Sequence, residues 1–223
     1  MKVKQFLILG ALALLAAAVT GCASHPTVQT ITPRQAAIDA ATPIRTMPAE
    51  RPAWVDFVPH STTTLSFVGS AGRFATETGN QGSRFFAHEN GRVQMIDFIG
   101  TAMVNQARTH AATYGISSDV LAPQIAGQQL NERIAQNVAQ ALAPRAYFTK
   151  VFMDATHREA FETFVWMEVE KAIVRRAIDL YGNEQAANFA RQAAVEQDMA
   201  RRQQLERAAQ FFGGNLGSRL LGD

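Results

Sequence analysis

The chain of 223 residues contains a single cysteine, Cys22, and its thiol is the group best suited to covalent chemistry. The thiolate form of cysteine is a nucleophile that can take up an acyl group. Cys22 directly follows Val19, Thr20 and Gly21, and the last two are small residues that suit a peptidase cutting before the cysteine. This spacing indicates a cleavage point followed by a modified thiol. With no second cysteine to pair with, the folded part is expected to be stable without an intramolecular disulfide.

The residues before Cys22 have the composition of a targeting segment. Lys2 and Lys4 precede an unbroken apolar run over residues 6–19, which is shorter than the about 20 residues that a helix needs to cross a bilayer. A basic start, a short apolar core and small residues at a cleavage point are typical of a secretory signal. With residues 19–21 and Cys22 as the lipobox, the segment resembles a bacterial lipoprotein signal. The alternative is an ordinary secretory signal in which the cysteine occurs by chance.

The lipoprotein resemblance implies a mature chain that begins at Cys22 and carries a covalent lipid there, an acyl group such as palmitate. Several acyl chains together anchor a protein stably, whereas one chain does so only marginally. Ala23 and Ser24 are not the aspartate that in some bacteria signals retention in the inner membrane. The resemblance therefore favours the outer membrane, with the protein facing the periplasm, and it implies no cofactor besides the lipid on Cys22.

Cleavage before Cys22 would also change the charge of the chain. The sequence has 21 basic and 19 acidic residues, and removing Lys2 and Lys4 with the signal leaves 19 of each. A mature chain without net charge has no general electrostatic attraction to nucleic acids. We therefore expect the membrane, through the lipid anchor, and an envelope protein as partners, and no nucleic acid.

Other residue types that could do chemistry lack the required spacing. The five histidines, none of which has the spacing of a zinc ligand set, are His25, His60, His88, His110 and His157. The run Gly69–Gly72 lacks the pattern of a phosphate-binding loop and is interpreted as a turn at the end of a strand. Glu162, Glu168 and Glu170 share one face of a predicted strand, which favours a solvated or arginine-paired face over a catalytic pair. We expect no metal site, no catalytic residues and no enzyme activity.

Residues 22–50 are predicted to be a flexible, lipidated tether. The segment contains Pro26, Pro33, Pro43 and Pro48 and few large apolar side chains. Such a composition cannot bury enough apolar surface to offset the entropy lost on ordering. As a coil, about 30 residues have an r.m.s. reach of roughly 30 Å, which would lift a domain clear of the lipid surface.

Residues 51–182 are predicted to form one α+β domain, a small antiparallel sheet packed by helices. Strand-type runs occur at 65–69, 146–153 and 160–169, and helical periodicity occurs at 83–114, 123–142 and 171–181. A short polar link joins the two later strands, so we expect a hairpin. The apolar stripe predicted for the first helix contains Phe85 or Phe86, Val93, Ile96, Ile99, Met103 and Ala107.

Residues 183–223 are predicted to be a C-terminal helical extension. Gly182 is expected to end the preceding helix, and a long helix is expected over 184–212, before Gly213 and Gly214. The apolar stripe of this helix is thin and is interrupted by small residues. We expect the extension to pack loosely on the domain or to contact a partner.

Phe164 and Trp166 are the candidate partner-binding residues. Both lie on the face of the predicted strand 160–169 that is opposite its main apolar stripe, which contains Phe161, Val165 and Val169. Either helices cover both faces of the sheet, or these aromatic side chains form a patch for a partner. We expect helices to cover both faces, because at least three helices need a surface to pack against.

Short motifs in the domain resemble the twenty-kilodalton family of bacterial outer-membrane lipoproteins. They are Trp54-Val55, the strand Leu65 to Gly69 ending in Val-Gly, the helix centred on Ala87 and Gly91, and the late strand Phe164 to Val169. The resemblance spans residues 51–180 and implies a small α+β domain with no catalytic residues.

Together these features predict a lipid-anchored envelope protein that acts as a non-enzymatic scaffold or assembly factor and binds a protein partner. The alternative is a tethered regulator of a periplasmic cell-wall enzyme, which the tether would deliver to its target.

Overall fold

The computed structural model describes residues 42–74, 78–154 and 156–222, so Cys22 and the segment before it lie outside the described part. In chain order the elements are β1 (Arg45–Met47), β2 (Thr64–Phe74), α1 (Gly79–Tyr114), α2 (Pro123–Asn137), β3 (Ala143–Met153), β4 (Glu159–Glu170), α3 (Lys171–Val195), α4 (Met199–Phe212) and α5 (Leu216–Leu221). Two 3-10 turns lie at Ala53–Val55 and Ala139–Ala141. The predicted α+β class, an antiparallel sheet packed by helices, is confirmed.

The four strands pair antiparallel in the order β1-β3-β4-β2. The predicted hairpin of β3 and β4 is present, with Thr149 opposite Thr163. Alternation along β4 gives the sheet two faces. The inner face is buried and carries Phe161, Thr163, Val165, Met167 and Val169. The outer face is partly buried and carries Glu162, Phe164, Trp166 and Glu168.

Strand β1 lies within the segment that the sequence assigns to the tether. Its three residues pair with β3, with Arg45 opposite Val151, and the Arg45 guanidinium lies 2.6 Å from the carboxylate of Glu159. Ile44 donates its backbone N–H to the carbonyl oxygen of Val151 at 2.8 Å. The folded domain therefore begins before the predicted boundary at residue 51. A strand this short among prolines has no alternation by which the sequence could reveal it.

The buried stripe of α1 differs from the predicted one in its first half. Phe85, Phe86 and Val93 are 60%, 51% and 52% exposed. The residues buried in their place are Ser83, Ala87, Gly91 and Met95, and the buried stripe continues at the same four-residue step through the correctly predicted Ile99, Met103 and Ala107. The reason is the close contact between α1 and β2, where a Cβ on Gly69 would lie 2.0 Å from the carbonyl oxygen of Ala87. Only small residues fit there, so the aromatic residues face outward.

Helix α3 continues through Gly182, where the sequence predicts an end. A Cβ on Gly182 would lie 2.6 Å from the carbonyl oxygen of Phe212 and 3.0 Å from a methyl carbon of Leu216. The glycine is thus a close-packing residue inside a helix and not a cap. The chain turns at residues 196–198 instead, where Asp198 Oδ1 accepts a hydrogen bond from the backbone N–H of Arg201 at 2.8 Å and caps α4.

The C-terminal helices are part of the core. Leu205, Ala208, Phe211, Phe212 and Leu216 are buried in α4 and α5. The Phe212 ring packs between two residues of α3, at centroid distances of 5.5 Å from Phe189 and 5.9 Å from Tyr181. The interpretation of residues 183–223 as a loosely packed extension is therefore wrong, although its helical character is confirmed. Small residues allow this packing, because they let the helix axes come close.

Tyr181 joins α3 to α2 by a buried polar contact. Its hydroxyl lies 3.2 Å from the carbonyl oxygen of Ala126 and 3.3 Å from Oε1 of Gln129. Burial raises the pKa of this hydroxyl far above its usual value. In the described residues, none of the helices is both long enough and apolar enough to cross a membrane.

Candidate partner-binding surface

The two predicted partner-binding residues, Phe164 and Trp166, lie on the outer face of the sheet and are partly buried. Phe148 of β3 lies opposite Phe164, and their ring centroids are 6.3 Å apart. The aromatic side chains of β3 and β4 thus form a row across the middle of the sheet. The other predicted site residues, the lipobox 19–21 and Cys22, lie outside the described residues.

A loop segment, residues 51–58, lies over this row and is called the outer-face segment below. The rings of Trp54 and Trp166 are 6.5 Å apart at an interplanar angle of 31°. The guanidinium carbon of Arg51 lies 5.8 Å from the Phe148 ring centroid and 5.7 Å from that of Phe164. Such distances are within the range of cation–π attraction.

The expectation that helices cover both faces of the sheet is therefore wrong. Helix α1 packs on the inner face, over β2 and β4, and the remaining helices pack mainly on α1 and on one another. Because the helices bury their apolar stripes in mutual contacts, they do not need a second face of the sheet. The short outer-face segment covers that face instead.

Charged side chains surround the aromatic row and pair with one another. Arg51 donates to both carboxylate oxygens of Asp56, at 2.9 and 2.6 Å. This bidentate contact raises the pKa of Arg51 and lowers the pKa of Asp56. Lys150 Nζ lies 2.9 Å from Oε2 of Glu162 and 5.2 Å from the Phe164 ring centroid. The charges of Arg51 and Lys150 on this face are therefore balanced by carboxylates of the same domain.

Two features of the outer face remain unsatisfied. The indole N–H of Trp166 is buried and has no hydrogen-bond partner in the described part of the chain. Phe57, which follows the 3-10 turn, is 79% exposed, and its neighbour Val58 is also exposed. A buried N–H without an acceptor lowers stability, and an exposed phenyl ring gains by leaving water. Both features would be relieved by contact with another molecule.

Of the three carboxylates predicted to form a solvated or arginine-paired face, Glu162 and Glu168 are ion-paired and Glu170 is exposed. Glu168 accepts from Arg145 Nε at 2.9 Å and from Ser66 Oγ at 3.2 Å. Glu162 pairs with Lys150, and Glu170 is exposed at the end of β4. Within the described residues, no group of three or more His, Cys, Asp or Glu side chains could hold a metal ion.

The histidines in the described residues are separated from one another. His60 is exposed, and His157 lies at a positive φ of 57° in the β3–β4 turn. His88 Nδ1 lies 3.6 Å from Glu89 Oε1. His110 differs, because it lies in a cleft between the end of α1 and helices α4 and α5.

Sequence reasoning missed the cleft around His110. The imidazole packs between Tyr114 and Phe211, at ring-centroid distances of 4.5 and 4.8 Å, and its Nε2 lies 3.2 Å from the carbonyl oxygen of Arg207. His110 and Tyr114 are four residues apart on α1, as are Arg207 and Phe211 on α4. These two pairs at four-residue spacing are visible in the sequence. The contact between the two helices is not, because α1 and α4 are far apart in the chain.

Comparison of the chain with known protein families, with curated proteins and with solved structures gives no match. The resemblance to the outer-membrane lipoprotein family therefore stays a prediction from short motifs.

Proposed function

We propose that this chain is a lipoprotein of the bacterial cell envelope that holds a protein partner and catalyses no reaction itself. In this proposal a lipid on Cys22 anchors it in the outer membrane, facing the periplasm. The observation that carries the binding function is the outer-face segment, which presents the exposed Phe57 beside a fixed aromatic row.

The outer-face segment suits binding because part of it is already ordered. Arg51 is held by Asp56 and by two rings, and Trp54 packs on Trp166. Because the loop is already ordered, it would lose little conformational entropy when a partner binds at Phe57. Aromatic residues that become fully buried at an interface commonly supply a large share of the binding energy.

The orphaned indole N–H of Trp166 adds a second reason. A partner that offers a carbonyl or carboxylate oxygen to Trp166 would give this donor the acceptor that it lacks. Satisfying a buried donor contributes about 1–3 kcal/mol relative to leaving it unpaired. The face would then discriminate between partners by the position of one acceptor.

The anchor is tested by the mass of the N-terminal peptide. In membranes of cells that express the full chain, the mature protein should begin at Cys22 with an acylated thiol, and Cys22→Ser should leave the signal uncut. A chain that is cut elsewhere and recovered without lipid would overturn the anchor.

Partner binding is tested by site-specific cross-linking in intact cells. A photoreactive residue at position 57 should give a discrete adduct, whereas the same residue at position 180 should not. Leu180 is a matched control, since it is 56% exposed but lies on α3. Phe57→Ser should remove the adduct from a cross-linker at position 58, and Leu180→Ser should not. The same adducts at both positions, or none at 57, would contradict a partner on this face.

Tether length separates the scaffold from the alternative, a tethered regulator of a cell-wall enzyme. Within the described residues Ile44 is the first that bonds to the sheet, and the 22 residues from Cys22 to Ile44 can span at most about 80 Å between lipid and sheet. Deletions must stay within 23–41 to spare β1. A scaffold at the membrane surface should keep its function as the deletion grows, whereas a regulator should lose it in steps.

A further inference from the structure

The cleft at the end of α1 has the composition of an anion site. It has a volume of about 480 Å³ and is lined by Gln106, Thr109, His110, Thr113, Tyr114, Arg207, Gln210, Phe211 and Arg219. Two of these residues are arginines and none is an aspartate or glutamate. The volume lies within the range of about 300–1,000 Å³ that is usual for small-molecule sites.

Both guanidinium groups are held in place by backbone carbonyls. Arg207 Nη1 donates to the carbonyl oxygen of Tyr114 at 2.6 Å, and Arg219 Nη2 donates to the carbonyl oxygen of Phe211. Their guanidinium carbons also lie 5.9 Å from the Tyr114 ring centroid and 5.7 Å from that of Phe211. A guanidinium has five N–H donors. One contact each therefore fixes the group and leaves most of its donors free.

Neither of these two arginines has a carboxylate partner in the described residues, whereas several other arginines there do. Arginines with a carboxylate partner in the described residues include Arg45, Arg51, Arg92, Arg133, Arg145, Arg158 and Arg201. In that same part of the chain, Arg207 and Arg219 make only the carbonyl and ring contacts given above. Two uncompensated positive charges in one cleft match the charge of a phosphate monoester, and guanidinium groups bind phosphate oxygens bidentately.

Uncharged side chains of α1 and α4 complete the donor set. Thr109, Gln106 and Gln210 are exposed at the cleft, and their side chains form no hydrogen bond to another side chain in the described residues. Their hydroxyl and amide groups can donate to phosphate oxygens. The His110 imidazole, whose pKa burial lowers, adds a group that would gain a proton when an anion binds beside it.

We propose that this cleft binds a phosphate monoester, either as a free small molecule or as the headgroup of a lipid. The site is at the end of α1, formed with α4 and α5, and does not include the outer-face segment. Its existence is therefore independent of the protein partner proposed above.

Calorimetric titration of the full-length chain in detergent tests the site. Inorganic phosphate and glycerol phosphate, at constant ionic strength against chloride, should each bind saturably at one site per chain. Flotation with phosphatidylcholine vesicles, with and without phosphatidic acid, then distinguishes the sources. Because the proposed anchor alone would float the chain with either vesicle, only the difference made by phosphatidic acid counts. Binding of the soluble ligands without extra flotation from phosphatidic acid assigns a free metabolite, and extra flotation assigns a lipid headgroup. No saturable heat with either soluble ligand would overturn the site.

Two variants separate a loss of phosphate binding from a loss of folded structure. Arg219→Gln should weaken phosphate binding by about ten-fold or more, because a charge-assisted contact is lost. It also removes a contact to a helix-end carbonyl, so Gln210→Glu is the second variant. That change leaves both arginine contacts in place and puts a negative charge in the cleft, which should abolish binding. Gln192→Glu, at an exposed position on α3 that does not line the cleft, is the matched control. Equal loss in Gln210→Glu and Gln192→Glu would contradict the site.

Discussion

At Gly69 the absence of a side chain determines how closely α1 approaches the sheet. A Cβ there would lie 2.0 Å from the carbonyl oxygen of Ala87, a backbone atom that cannot rotate away. Gly91 faces Gly69 from the helix, and a Cβ on Gly91 would lie 3.4 Å from the Cα of Gly69. The two glycines form one contact, and the outward position of Phe85 and Phe86 follows from it.

Gly69→Ala should therefore lower the free energy of unfolding by about 2 kcal/mol or more, as overpacked positions do. Gly72, three residues further along β2, is the control, since a Cβ there would have no atom within 4 Å. Urea denaturation of both variants checks the prediction. If Gly69→Ala and Gly72→Ala have the same midpoint, the close contact does not limit the packing.

His110 should make the stability of the folded chain depend on pH. Burial lowers its pKa below the usual 6.5, the charge of Arg219 adds to this effect, and the contact with the Arg207 carbonyl opposes it. The titratable or charged groups that face the ring are Tyr114 on α1, Arg207 on α4 and Arg219 on α5.

Because the unfolded chain binds this proton at a higher pH than the folded chain, stability should fall as the pH drops below 6.5. The fall should end once the pH is below the lowered pKa of the folded state. His110→Phe, which keeps an aromatic ring between Tyr114 and Phe211, should remove this component. Thermal melts from pH 7.5 to pH 5 measure it, and an unchanged pH profile in the variant would assign the component elsewhere.

At the scale of elements, the sequence predicts what depends on local pattern. The alternation of Phe161, Val165 and Met167 correctly identified β4 and its inner face. The residues that form the buried face in the first half of α1 could not be predicted, because they depend on contact with Gly69 in a distant strand. The end assigned at Gly182 failed for the same reason, since its small size serves a contact with α5 that is remote in sequence. For the candidate site, the sequence placed Phe164 and Trp166 on the correct face of β4 but did not predict that residues 51–58 lie over that face.

In the outer-face segment, we expect Trp54 to support the stability of the fold and Phe57 to support binding. Trp54→Ala should lower the free energy of unfolding by about 1–2 kcal/mol, because it removes an aromatic pair and part of its buried area. Phe57→Ala should change stability by less than about 0.5 kcal/mol, because the side chain is 79% exposed. In the cross-linking experiment, Phe57→Ala should reduce the partner adduct more than Trp54→Ala does. A large stability loss in Phe57→Ala would mean that its ring supports the fold.

At the scale of the whole molecule, the helices after residue 182 and the sheet form one cooperative unit. Buried side chains from α1, α2, α3, α4 and α5 belong to one continuous cluster with Val165 and Met167 of the sheet. The C-terminal helices and the sheet should therefore unfold in a single cooperative transition.

Phe212→Ala tests that cooperativity, because the two tryptophans of the chain, Trp54 and Trp166, both report from the sheet. Loss of the buried ring should cost about 3–5 kcal/mol and shift the tryptophan fluorescence transition by the same amount as the circular dichroism transition. Val195→Ser, at an 81% exposed position on α3, is the control and should shift neither. A variant that shifts only the dichroism would show that the C-terminal helices unfold separately.

The place of β1 in the chain has a mechanical consequence. A pull directed from the N-terminal side of Thr42 reaches β1 before the other strands of the described sheet. In that sheet β1 is a three-residue edge strand whose one partner is β3. Once β1 detaches, the same load passes to Arg51 and Trp54, which lie over Phe164 and Trp166. Tension on a lipid anchor would thus uncover the outer face of the sheet first, while α1 and the inner face stay packed.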